Sequence, residues 1–296
     1  MNLNNAIDIT QLIIDTINNI FSSIFSSIDN NLYSILDYIA FIDEDIITTS
    51  YFKTLFGTSV SNGILLISNS LLIGFLLFFC IRLILSHLGV TQSESPISFI
   101  FKLIFFGLLM NASLFICEKI LFFNSQISLA IRTLGEELFH TEINFSSLVH
   151  LLNSAIYVEN NSINVFSIDG ILKSFSSIGF LNLAFTYSIR YVMVKVFILL
   201  SPFAFLSLCT HSTSSFFKAW FKAFISLVLV QILISLILVL TFSLNINSSG
   251  LLPKLLICGS IFSLAKANSY VRSLFGGISV DLSNGINGIK NLMKGG

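Results

Sequence analysis

Two cations interrupt a long apolar stretch near the middle of the chain, and they are the residues best placed to do chemistry. Arg190 and Lys195 both lie within the apolar residues 180–208. Ionisable side chains inside a membrane segment are costly, and they commonly mark the path of an ion, a proton or a substrate. Five residues apart on a helix, the two side chains diverge by about 140°, so we do not expect them to share one ligand. They are predicted either to line a pore or pocket or to anchor a helix at the membrane interface.

A second set of reactive side chains falls within residues 118–176. It comprises His140 and His150 with Glu136, Glu137 and Glu142. A metal site is conceivable there, but this spacing fits no compact zinc-ligand motif, so we expect no metal.

Nucleophiles and phosphate-binding loops offer no stronger candidate. The sequence contains no P-loop, no HExxH or GxSxG motif, and no pair of carboxylates within an apolar run. The cysteines lack C-x-x-C spacing and lie in or beside apolar runs, as is typical of buried, unreactive thiols: Cys80, Cys117, Cys209 and Cys258. We therefore expect a protein that is not an enzyme and holds no cofactor.

The composition predicts an all-α, polytopic membrane protein. Mean hydropathy is +0.90 and charged residues make up 10% of the 296 positions. Residues 54–81 and 223–253 carry no charge, and about 20 apolar residues suffice for a helix to cross a bilayer. Continuous apolar runs favour helices over the alternating strands of a membrane barrel.

The distribution of positive charge predicts the orientation. Residues 1–52 contain seven carboxylates and no Lys or Arg, whereas every basic residue follows from Lys53 onward. Because Lys and Arg favour the cytoplasmic side, the N-terminus is expected outside and the C-terminus inside. Delivery is expected through an internal transmembrane segment, since no basic leader precedes an early apolar run.

Five spans follow from this threading. They are predicted at about residues 63–85, 97–117, 180–208, 223–244 and 251–266. Residues 1–60 are expected to form an outer, acidic, amphipathic helical segment that meets protein rather than anionic lipid. Residues 61–266 would form the membrane domain with an outer loop over about 118–176, in which 120–131 is too short to span. Residues 267–296 would form a basic, Gly-containing cytoplasmic tail. A split of the third span at Lys195 remains an alternative.

The stretch 190–232 reads RYVMVKVFILLSPFAFLSLCTHSTSSFFKAWFKAFISLVLVQI. An apolar helix ending in Ser201-Pro202, a Ser/Thr-rich loop and Trp220 at the next helix resemble the TrbL/VirB-type polytopic inner-membrane subunits of type IV secretion and conjugation machines. The tail stretch ANSYVRSLFGGIS, which holds Gly276 and Gly277, is similar to the tails of such proteins.

This resemblance implies a channel or scaffold subunit in the bacterial inner membrane. It would work as a homo-oligomer with other channel subunits and with cytoplasmic ATPases, and it would meet DNA only as a transported substrate. By position, Pro202 would shape the end of the third span, and Trp220 would anchor the fourth at the cytoplasmic interface, a place that Trp favours. Gly276 and Gly277 would allow a turn or close packing in the tail.

Two other classes stay open. A small-solute transporter or ion channel is favoured by Arg190 and Lys195, although no internal repeat supports it. A membrane self-immunity protein is compatible with the long outer loop.

Overall fold

The computed structural model describes residues 3–57, 62–88, 95–156, 165–210, 213–244 and 250–275. Within these ranges every regular element is helical, which confirms the all-α prediction. The helices are listed in chain order: α1 Leu3–Ala40, α2 Ser50–Phe56, α3 Gly63–His87, α4 Pro96–Asn111, α5 Ser113–Phe139, α6 Phe145–Ala155, α7 Ile168–Leu206, α8 Ser214–Ser243 and α9 Leu251–Phe275. Two short 3-10 turns, Glu44–Ile47 and Ser207–Cys209, complete them.

Five of the described helices are long and apolar enough to cross a membrane: α3, α5, α7, α8 and α9. The predicted number of spans is thus confirmed, but one member of the set is different. The span predicted over 97–117 is interrupted, because α4 ends at Asn111 after 16 residues and a turn at Ala112 begins α5. The prediction that 120–131 is too short to span is wrong, since α5 runs for 27 residues.

Local chemistry explains this error. The predicted span ended at the charged pair Glu118–Lys119, but the structure neutralises that pair on the flank of a continuing helix. Lys119 Nζ lies 3.1 Å from Glu118 Oε1 and 5.3 Å from the ring centre of Phe115. The true break lies earlier, where the Asn111 amide donates to the carbonyl of Gly107 and pairs with Asn69. Such side-chain bonds compete with the helix.

Helix α7 runs without a break through Lys195, so the alternative split there is not found. Its 39 residues make it about 58 Å long at 1.5 Å per residue, well beyond a bilayer core of about 30 Å. Helix α8 begins nine residues before the predicted start, and α9 extends into the predicted tail as far as Phe275.

The long helices form both antiparallel and parallel pairs. Helices α7 and α8 are antiparallel, because Arg190 meets Leu227 and Phe197 meets Trp220. Helix α9 runs parallel to α7, and α5 runs parallel to α8. A Cβ atom at Gly135 of α5 would come within 2.8 Å of Val239, so a glycine lets α5 and α8 approach closely.

Two buried clusters hold the bundle together. We call the first the Cys258 core; it joins α1, α6, α7, α8 and α9, and includes Leu36, Phe145, Tyr187, Ile234, Cys258 and Ile261. We call the second the Trp220 core; it joins α4, α5, the end of α7 and the start of α8, and includes Met110, Cys117, Phe197, Phe205, Trp220 and Phe224. Ile42, Ile46, Ile47 and Phe52 also belong to the Trp220 core.

Candidate functional site at the break after helix α1

The chain breaks its helical course inside the bundle directly after α1. Helix α1 ends at Ala40, and the next regular turn begins at Glu44. Ala40 is fully buried and Ile42 is 2% exposed, so this irregular backbone lies in the protein interior. Backbone N–H and C=O groups buried inside a protein are nearly always paired, so side chains must supply the partners that the helix no longer provides.

Arg190 supplies one of the required partners. Its side chain is completely buried, its Nη1 donates to the carbonyl of Ala40 at 2.9 Å, and its Nε donates to the carbonyl of Leu227 at 2.8 Å. The Ala40 carbonyl is one of the unpaired groups at the C-terminal end of α1, where a cation is favoured by the helix dipole. The third nitrogen, Nη2, has no hydrogen-bond partner among the described residues.

Gln231 supplies the other partner. Its Oε1 accepts a hydrogen bond of 3.0 Å from the backbone N–H of Ile42, and its side chain is 2% exposed. Helix α7 therefore holds the backbone on one side of the break through Arg190, and α8 holds it on the other through Gln231. We call these two side chains the clasp.

A polar seam continues from the clasp between α5 and α8. The hydroxyls of Ser128 and Ser235 are hydrogen-bonded at 2.6 Å, and Ser235 also donates to the carbonyl of Gln231. One helical turn from Ser128, Asn124 is 5% exposed, and neither its amide nitrogen nor its amide oxygen has a hydrogen-bond partner in the described part of the chain. Unpaired amides in a protein interior are costly.

Lys195 lies outside this site. It is half-buried, and its Nζ stands 4.8 Å from the centre of the Tyr191 ring. The hydroxyl of Tyr191 in turn meets that of Tyr38 at 2.9 Å. Arg190 thus bonds the N-terminal segment directly, whereas Lys195 contacts Tyr191 of its own helix, and the two cations have no shared partner in the described structure.

Near the far end of α5, two acidic side chains accept backbone N–H groups, one from the predicted outer loop and one from α1. Glu136 accepts from the N–H of Ile143, and Asp37 accepts from the N–H of Phe145 at 2.9 Å. Burial raises the pKa of the Asp37 carboxyl, although this backbone bond and nearby Arg132 oppose the shift. No group of three or more His, Cys, Asp or Glu side chains in the described ranges has a geometry that could hold a metal.

Pro202 and Trp220 each change the hydrogen bonding of a carbonyl group in α7, and the two carbonyls belong to neighbouring residues. Proline has no N–H, so Pro202 leaves the carbonyl of Ile198 without its usual helical donor, and the Ser201 hydroxyl donates to that carbonyl at 2.7 Å. Trp220 donates its indole N–H to the carbonyl of Phe197 at 2.8 Å. Trp220 is 3% exposed and stacks on Phe224, so its side chain is part of the Trp220 core.

The sequence singled out Arg190 but missed Gln231, Asn124, Ser128 and Ser235. These are uncharged, and each falls within an apolar helix whose spacing gives no motif. The sequence does carry a weak signal: Asn124 and Ser128 in α5, and Gln231 and Ser235 in α8, are each four residues apart and therefore lie on one face of their helix. Gly276 and Gly277 lie outside the described residues.

Comparisons with protein-family models, with curated proteins and with solved structures found no match to this chain.

Proposed function

We propose that the chain is a membrane scaffold or channel subunit of a type IV secretion or conjugation machine. The observation that carries the proposal is the junction of α7 and α8, the stretch that resembles TrbL/VirB-type subunits. There Pro202, Ser201 and Trp220, which define the resemblance, act together on consecutive carbonyls of α7. The resembling residues thus form one structural unit, in which the end of α7 is joined to the start of α8.

The polar interior supports a scaffold or conduit more than an enzyme or a DNA-gripping surface. Binding to nucleic acid depends largely on Lys and Arg at phosphates. Arg190 is buried and bound to main-chain carbonyls, and the chain has no net charge. DNA transported through such a conduit would contact surfaces that carry no net charge. Cytoplasmic ATPases and other channel subunits would supply the driving force and the remaining path in the bacterial inner membrane.

Gene deletion in the native host provides the test. We expect deletion to reduce the frequency of conjugative DNA transfer to the detection limit, and expression of the full chain to restore it. Trp220→Phe, which removes the bond to Phe197, should restore transfer only in part. The control Phe216→Leu, at a side chain of the same helix that is 46% exposed, should restore it fully. Normal transfer after deletion, with loss of uptake of a small solute, would instead support the transporter alternative.

A further inference from the structure

One face of the segment that follows the break packs into the bundle, while Asp43, Asp45 and Tyr51 lie on its exposed face. Ile42, Ile46, Ile47 and Phe52 are each at most 7% exposed, and they pack in the Trp220 core with side chains of α5, α7 and α8. Its only regular structure is a four-residue 3-10 turn and the seven-residue α2. Isolated helices this short are unstable in water, so the segment keeps its shape through contacts with its surroundings.

Polar groups lie beside this segment. The Glu44–Ile47 turn contacts α5, whose buried face carries Leu121 in the Trp220 core and Asn124 one turn further. Gln231 bonds the segment directly, and Arg190 holds the residue just before it. Asn124 and Arg190 Nη2 have no partners in the described structure. Water would satisfy these groups if it could reach them, because buried polar groups without protein partners commonly bind water.

We infer that residues 41–56 form a plug that can withdraw from the bundle. In the described state it closes a polar passage between α5, α7 and α8, and the clasp of Arg190 and Gln231 holds it in place. Withdrawal would expose Gln231, Asn124 and Arg190 to water, and would open this part of the interior to water and small polar solutes. Helix α1 leads directly into the plug, so a force on α1 would act on the clasp.

Two native cysteines distinguish plug withdrawal from general loosening. Cys117 is fully buried in the Trp220 core beside the plug, whereas Cys258 is 6% exposed in the other core. Full-length protein in liposomes would be prepared in two forms, one keeping only Cys117 and one keeping only Cys258. Each form would be labelled with N-ethylmaleimide, and the rate of modification measured by mass spectrometry.

The clasp variant is Gln231→Leu, which removes the acceptor for the N–H of Ile42. We expect it to raise the labelling rate of Cys117 about tenfold, as about 1.4 kcal/mol on an opening equilibrium would, and to leave Cys258 unchanged. Leu236→Ala, at a side chain of α8 that is 49% exposed, is the control, and it should change neither rate. Arg190→Lys should act as Gln231→Leu does, because a single amine cannot reproduce the guanidinium fork.

A cysteine introduced into the plug itself gives a second measurement of whether the plug withdraws. In protein lacking the native cysteines, Ile46→Cys should be protected with the clasp intact and labelled when Gln231→Leu is added. Unchanged protection of Cys117 in both clasp variants would overturn the proposal, as would equal gains at Cys117 and Cys258. Labelling of Cys117 without labelling at position 46 would also refute it. Because the readout is thiol access, failure of the DNA-transfer test would leave this result unaffected.

Discussion

The α3–α4 hairpin and the α7–α8 pair are both strongly apolar, but they differ in how much of their surface is buried within the protein. In the most apolar window of α3 only 17% of residues are buried within the protein, against 56% in those of α7 and α8. The hairpin is held by the stacked rings of Phe79 and Phe99, 3.7 Å apart, and by the pair Asn69–Asn111. The α7–α8 pair encloses Arg190, Gln231 and a series of serines.

This contrast shows that hydropathy places a helix in the membrane but does not say which of its faces meets protein. Lipid tails are as apolar as leucine, so helices in a bilayer gain little by burying more apolar surface against each other. Close packing and hydrogen bonds decide their association instead. The interior helices are accordingly those that carry polar and small residues on one face.

The largest expected difference comes from removing a ring in each region. Phe224→Ala should lower the free energy of unfolding by about 3–5 kcal/mol, because Phe224 is fully buried and its loss leaves a cavity. Phe78→Ala in α3, at a side chain that is 61% exposed, should change it by less than about 0.5 kcal/mol. Titration with a denaturing detergent in mixed micelles measures both. Comparable losses would mean that the exposed face of α3 is covered by protein.

A smaller difference is expected when an arginine in each region is replaced by lysine, which keeps the positive charge. Arg190→Lys should cost about 2 kcal/mol, because hydrogen bonds to charged groups contribute about 1.5–3 kcal/mol and lysine cannot reach both carbonyls at once. Arg82→Lys, at an exposed position of α3, should stay within about 0.5 kcal/mol. The same detergent titration applies. An equal cost at both positions would show that Arg190 is not held by its two carbonyl bonds.

The smallest expected difference lies in the pairwise polar bonds. A double-mutant cycle on Ser128→Ala and Ser235→Ala should give a coupling of about 0.6–1.7 kcal/mol, the range seen for hydrogen bonds between membrane helices. The Asn69→Ala and Asn111→Ala cycle should give less, because those bonds are 3.2–3.3 Å long and less buried. A larger coupling for the asparagine pair would place the hairpin contact among the main determinants of the fold.

Much of the fold is predictable from local sequence. The charge-free runs indicated α3 and α8. The sequence did not predict the helix boundaries that depend on contacts with other residues. Helix α5 continues past Glu118, whose carboxylate pairs with Lys119, which also lies over the ring of Phe115, and α9 continues past Lys266 into the predicted tail.

The site was predictable only in part. Arg190 stood out because a cation in an apolar run is rare, but nothing in the sequence showed that its partners are the carbonyls of Ala40 and Leu227. Those partners come from positions 150 residues before it and 37 after it. Likewise, nothing in the sequence showed that Trp220 is buried in a core and bonds the carbonyl of Phe197.

By itself, then, the sequence determined that the chain is helical, that it lies in a membrane and that five of its helices can span, because these follow from the length and composition of each segment. Only the tertiary structure decided which helices are interior and what the buried cation does. A main-chain carbonyl is the same at every residue, so the carbonyls that Arg190 meets depend on how α1, α7 and α8 come together.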